Sequence, residues 1–108
     1  SPEHRVLCAG DYLSPCEIPM LSPGGSRGGY LATLARLEPY VERADWVVPG
    51  HGVPLDSQRA LAILREDRAY LEALTELGAS APLPLARRGK AMEQIHAENV
   101  RAVAGAVR

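Results

Sequence analysis

Two short apolar runs, each closed by a glycine and a side chain able to bind metal, constrain this chain more than any other feature. Val47-Val48-Pro49-Gly50-His51-Gly52 ends in a histidine held between glycines. Forty residues earlier, Val6-Leu7-Cys8-Ala9-Gly10-Asp11 ends in an aspartate. Neither run alternates polar with apolar residues, the pattern of strands buried on both faces in a helix-covered parallel sheet. Each therefore reads as a strand that delivers one polar side chain at its carboxyl end.

The segment between them supplies the connection. Tyr30 to Leu37 carries Leu31, Leu34 and Leu37 at helical spacing, and Pro39 is expected to end that helix because it lacks a donor and restricts its neighbour. Strand, helix, strand within so short a span is a βαβ unit, so the two strands should run parallel. Their carboxyl ends then share one edge of the sheet, where ligand sites of open α/β sheets gather. Asp11 and His51 would face a common crevice.

Ser14 to Gly29, with Pro15, Pro19, Pro23, Gly24, Gly25, Gly28 and Gly29, is a loop by composition and an unusually long one. It leaves the sheet just after Asp11 and so should form a rim over the crevice. Tyr12, Cys16, Glu17 and Arg27 are its candidates for touching a substrate; each also reads as an ordinary loop residue. Leu55 to Gly78 reads as a long helix that Asp56 or Ser57 can cap, with Leu61, Leu64, Leu71 and Leu74 in one stripe and Gly78 at its stop. Ala79 to Leu85, with Pro82 and Pro84, reads as a connector, and Gly89 to Val107 as a last helix, with Met92, Ile95, Val100, Val103 and Val107 on its apolar side.

Two strands against three helices is a deficit, since a stable covered sheet generally needs three or more strands. Apolar strands also leave edges that demand partners. The expectation is an α/β chain that is incomplete by itself, and that completes its sheet with further strands or with a second copy.

The 108 residues, with 12 basic and 13 acidic side chains, bound one domain or part of one. The near-neutral balance gives no general attraction to nucleic acid or anionic membrane. No apolar run nears the length of a membrane span, and no signal peptide is visible. Two cysteines do not make a disulfide framework. Cys8 is expected to pack as a small hydrophobe, and a cytoplasmic location with reduced thiols is expected.

Taken singly, Asp11 also reads as a turn aspartate and His51 as a turn histidine. Imidazole, however, is the commonest side-chain metal ligand, and flanking glycines permit a sharp turn and a close approach. Taken together, Gly10-Asp11-Tyr12-Leu13-Ser14, the Tyr30–Leu37 helix and Val47-Val48-Pro49-Gly50-His51-Gly52-Val53-Pro54-Leu55 resemble the carboxyl-terminal half of a metallo-β-lactamase-superfamily hydrolase. The likeness covers residues 5 to 78 and, more loosely, the rest.

That resemblance implies a four-layer αββα sandwich. Residues 1–78 would be its carboxyl-terminal βαβα portion and 79–108 a connector and helix packed on the same domain. It implies a dinuclear metal centre, zinc by ligand type with iron or manganese as alternatives, in which Asp11 bridges the two ions and His51 completes the ligand set of the second ion. A metal-bound hydroxide would attack an ester, thioester, lactone, amide or phosphodiester of a small-molecule substrate. It also offers His96 as a residue near substrate or near the metal ligands, a role that loop position offers Tyr12; on its own residues His96 reads first as a hydrogen-bonded packing histidine. The family's His-x-His-x-Asp-His motif is absent, and His4 and His96 cannot replace it. The chain alone is therefore expected to bind metal weakly or not at all and to hydrolyse nothing. The contrasting expectation is a non-catalytic assembly domain that pairs sheet edges with a partner or a second copy.

Overall fold

The computed structural model describes residues 5–10, 12–21, 26–50, 52–84 and 87–106. In chain order the elements are β1 (Val6–Gly10), α1 (Arg27–Arg43), β2 (Trp46–Pro49), β3 (Leu55–Asp56), α2 (Ser57–Leu77), a 3-10 turn (Gly78–Ser80) and α3 (Lys90–Ala106). The architecture is α/β, with a mixed three-stranded sheet in the order β1-β2-β3. β1 and β2 are parallel, with Val6 beside Trp46, Leu7 beside Val47 and Cys8 beside Val48. β3 is antiparallel to β2, placing Leu55 beside Val47 and Asp56 beside Trp46.

The third strand corrects the count of two. Leu55 and Asp56 pair with β2 before the chain turns helical, so the long helix begins at Ser57 rather than Leu55. Its cap is Asp56, whose Oδ1 accepts from the Arg59 amide at 2.7 Å. Ser57 instead donates its hydroxyl to the Val41 carbonyl, fastening the start of α2 to the end of α1. Gly78 takes φ +53 at the helix stop, and its N–H reaches the Leu74 carbonyl.

α1 is longer than expected at both ends. It starts at Arg27, where Ser26 accepts from the Gly29 amide, and runs through Pro39 to Arg43. An interior proline costs a helix about 3 kcal/mol. Pro39 is exposed, as is Ala35, the residue whose carbonyl loses its partner, so water can satisfy that group. The turn beyond it buries Val41 completely, and Leu34 before it is also fully buried. Each such side chain contributes roughly 1.5–3 kcal/mol. Packing on both sides of the proline therefore outweighs its local cost.

The sheet has two unlike faces. Leu7, Val47 and Leu55 lie in one row on the face where α2 packs, with Val47 fully buried. Val6, Trp46 and Asp56 form the neighbouring row on the opposite face, and all three are exposed, Val6 at 53% and Trp46 at 48%. Cys8 belongs to this open face and is exposed too, so it does not pack as a buried hydrophobe. The unbroken apolar runs thus mark strands covered on one face, with the other left open. α3 adds Met92 to the same core as Leu64, Leu71 and Leu74, with Ile95, Val100 and Val103 packed around it. Among the described residues no helix is long and apolar enough to cross a membrane.

Candidate functional site

The candidate site of the sequence reading belongs to the carboxyl edge of β1 and β2. Asp11 and His51 themselves fall outside the described residues, so their neighbours define the edge. β1 ends in an irregularity between Cys8 and Gly10, and Gly10 pairs with Pro49. The Gly50 amide then donates to the Gly10 carbonyl. The parallel pairing expected from the βαβ order is present, and the residues just before positions 11 and 51 are hydrogen-bonded to each other. A Cβ at Gly50 would fall 2.9 Å from the Gly10 oxygen, so only glycine permits this approach.

Gly10 turns at φ +59, and the Tyr12 amide folds back onto the Ala9 carbonyl. Leu13 holds φ +62, a strained value for a branched residue, while its side chain is fully buried. The half-buried Tyr12 ring meets Tyr30 of α1 at a centroid distance of 4.7 Å with a 54° tilt. On the other side, Gly52 takes φ +108, and a Cβ there would strike the Pro15 ring at 2.7 Å. Cys16 is exposed beside the same turn, its Sγ 3.5 Å from that Cβ position. The loop residues Pro15 and Cys16 therefore lie against Gly52, beside the carboxyl edge of β2.

Residues 14–21 of that loop are anchored along their length. Ser14 Oγ accepts from the Cys16 and Glu17 amides. Arg87, only 2% exposed, donates Nη1 to the Ser14 and Glu17 carbonyls at 3.2 and 3.0 Å. The same Nη1 lies 2.6 Å from Asp67 Oδ1, and Nη2 donates to Glu66 at 3.2 Å. Burial pushes the Asp67 carboxyl from 3.8 up to about 7, with the Arg87 charge pulling only part of the way back. Further along, Asn99 donates to the Pro19 carbonyl at 2.6 Å and accepts from the Leu21 amide at 3.0 Å. Arg27, a substrate candidate by position, instead donates to the Leu71 carbonyl within the fold.

His96 is a hydrogen-bonded packing residue. Its Nε2 lies 3.1 Å from the Ala79 carbonyl, an acceptor only, so Nε2 carries the proton. Nδ1 then accepts from the Tyr70 hydroxyl at 2.7 Å, and Tyr70 in turn accepts from Asn99 at 3.2 Å. Burial raises the Tyr70 pKa, opposed by the Asn99 hydrogen bond. His96 is thereby tied through Tyr70 and Asn99 to the rim loop.

Asp67, Arg87 and Asn99 were not singled out by sequence. A signal existed for two of them. Asp67 interrupts the buried stripe Ala60, Ile63, Leu64, Leu71 and Leu74 of α2, and Asn99 interrupts that of α3. A polar residue at a core position demands a buried partner.

Among the described residues no three His, Cys, Asp or Glu side chains are grouped to hold a metal ion. A carboxylate with an imidazole suits a borderline divalent cation, but a firm zinc site takes three or four protein ligands. Asp11 and His51 thus fit part of such a site. No family model, curated protein or solved structure matches the chain.

Proposed function

We propose that this chain carries the carboxyl-terminal part of a metal-dependent hydrolase centre of the metallo-β-lactamase kind, with Asp11 and His51 as its metal ligands. The observation supporting this most is the hydrogen bond from the Gly50 amide to the Gly10 carbonyl, which joins the two strand ends directly ahead of those residues. When bound, the metal pair, zinc by preference, supplies an activated water and polarises the scissile group of a small-molecule ester, thioester, lactone, amide or phosphodiester. The chain's own part is to present a carboxylate and an imidazole from one rigid edge, and to wall that edge with Tyr12, Pro15 and Cys16. The remaining ligands come from strands outside this sequence or from a partner. Calorimetric titration with Zn(II) tests the division: weak or undetectable binding to this chain is expected, and tight one-to-one binding contradicts an incomplete site.

A second reading is a non-catalytic assembly domain. It is favoured by the open row Val6, Trp46 and Cys8 and by β1, which has β2 as its one neighbour among the described residues. A concentration-dependent dimer in sedimentation, with no metal response, is its expected signature.

A further inference from the structure

β1 lies at one end of the sheet order, so its outer side is an unpaired strand edge among the described residues. Backbone groups of successive strand residues point to opposite sides. The Arg5 carbonyl accepts from the Asp45 and Trp46 amides and so points toward β2. Val6 and Cys8 therefore turn their N–H and C=O groups outward. Such a row normally is shortened, charged or covered, because it templates further pairing. Here it is flanked by a groove of about 510 Å³ lined by Arg5, Val6, Leu7, Tyr40, Arg43 and Ala44. All six residues belong to β1, its approach and the end of α1, and none to β2.

The chemistry of this lining is one-sided. Its apolar part is unusually bare, with Val6 53% and Tyr40 61% exposed. Its charged part is two arginines, and among the described residues neither guanidinium has a carboxylate partner. The nearby Asp45 carboxylate is already engaged by the Arg5 amide at 2.9 Å. We infer that the outer edge of β1 and the Arg5–Tyr40–Arg43 groove form a docking site for an extended acidic segment of a partner, added as a fourth strand. Main-chain hydrogen bonds to Val6 and Cys8 supply the pairing. Side chains on the helix side of the added strand lie against Leu7 and Tyr40 and set carboxylates beside Arg5 and Arg43. Those on the other side extend the apolar row of Val6. This rests on the open edge invoked by the assembly reading and is independent of any metal.

The test uses two capped hexapeptides, acetyl-(Glu-Val)3-amide and acetyl-(Lys-Val)3-amide, followed by amide NMR on the whole chain. The acidic peptide is expected to shift and protect the Val6 and Cys8 amides, and the basic one to bind about tenfold more weakly or not at all. The exposed pair R5E/R43E should reverse that preference while leaving the thermal midpoint in place. Equal binding of both peptides, or shifts away from β1, would overturn the inference. Protection of Val6 and Cys8 without peptide, in a dimer that the acidic peptide cannot displace, also overturns it while supporting self-assembly. Failure of the acidic peptide to bind also overturns the inference, and a dimer still seen in sedimentation then leaves the assembly reading standing.

Discussion

The Arg87 guanidinium and the Asp67 carboxylate meet at 2.6 Å with almost no exposure of either side chain. This pair ties the rim loop to α2, because the same guanidinium holds the Ser14 and Glu17 carbonyls. Removing Arg87 leaves the buried Asp67 carboxyl and two carbonyls without their shared donor. Arg87→Ala is expected to cost about 3–5 kcal/mol, measured as a shift of the urea midpoint. A cost below about 1 kcal/mol would mean that the loop is held by other contacts.

Asp67 also predicts a pH dependence. Its folded pKa, about 7, stands above its ordinary 3.8, so the folded chain keeps a proton that the unfolded chain releases. Stability from this group is fully present below about pH 4 and is lost as pH rises toward and through about 7. Asp67→Asn, which mimics the protonated form, should flatten this fall between about pH 4 and 7. Equal pH slopes in the two proteins would show that Asp67 is ionised throughout.

The chain Asn99, Tyr70, His96, Ala79 makes a graded prediction. Tyr70→Phe removes one hydroxyl and should cost about 1–3 kcal/mol. Asn99→Ala leaves the Pro19 carbonyl and the Leu21 amide buried without their partner, and should cost more than Tyr70→Phe. Long-range nitrogen–proton NMR should find the His96 proton on Nε2. A proton on Nδ1 would contradict the hydrogen-bond order.

The two edge glycines differ in a way denaturation can resolve. At Gly10 a Cβ has open space, and alanine costs only the left-handed backbone, about 1–2 kcal/mol. At Gly50 a Cβ meets the Gly10 carbonyl, so Gly50→Ala must force the strands apart. The Gly50 substitution should therefore be the more destabilising, and the reverse order would mean that the two strand ends are not in close contact.

Much of this was legible in sequence, and the misses have physical causes. The parallel pair, the Asp56 cap, the Gly78 stop and the rim position of the loop follow from local rules of spacing, capping and connection. Pro39 misled because propensity is local, whereas Val41 and Leu34 gain their burial from the rest of the fold. β3 escaped because two residues carry no periodicity. The open sheet face escaped because an apolar strand reads alike whether or not both faces are covered. Of the candidate site, the convergence of the two strand ends could be argued from chain order alone. The Arg87 and Asn99 anchors could not, since their partners lie some seventy to eighty residues away.

The most direct test of the central claim is paramagnetic NMR of the chain with millimolar Mn(II). The account predicts that the amides of Gly10, Tyr12, Gly50 and Gly52 broaden together, and that Asp11→Ala or His51→Ala alone abolishes the broadening on both strands. Broadening on one strand only, or broadening that survives either substitution, would contradict a shared metal site at this edge.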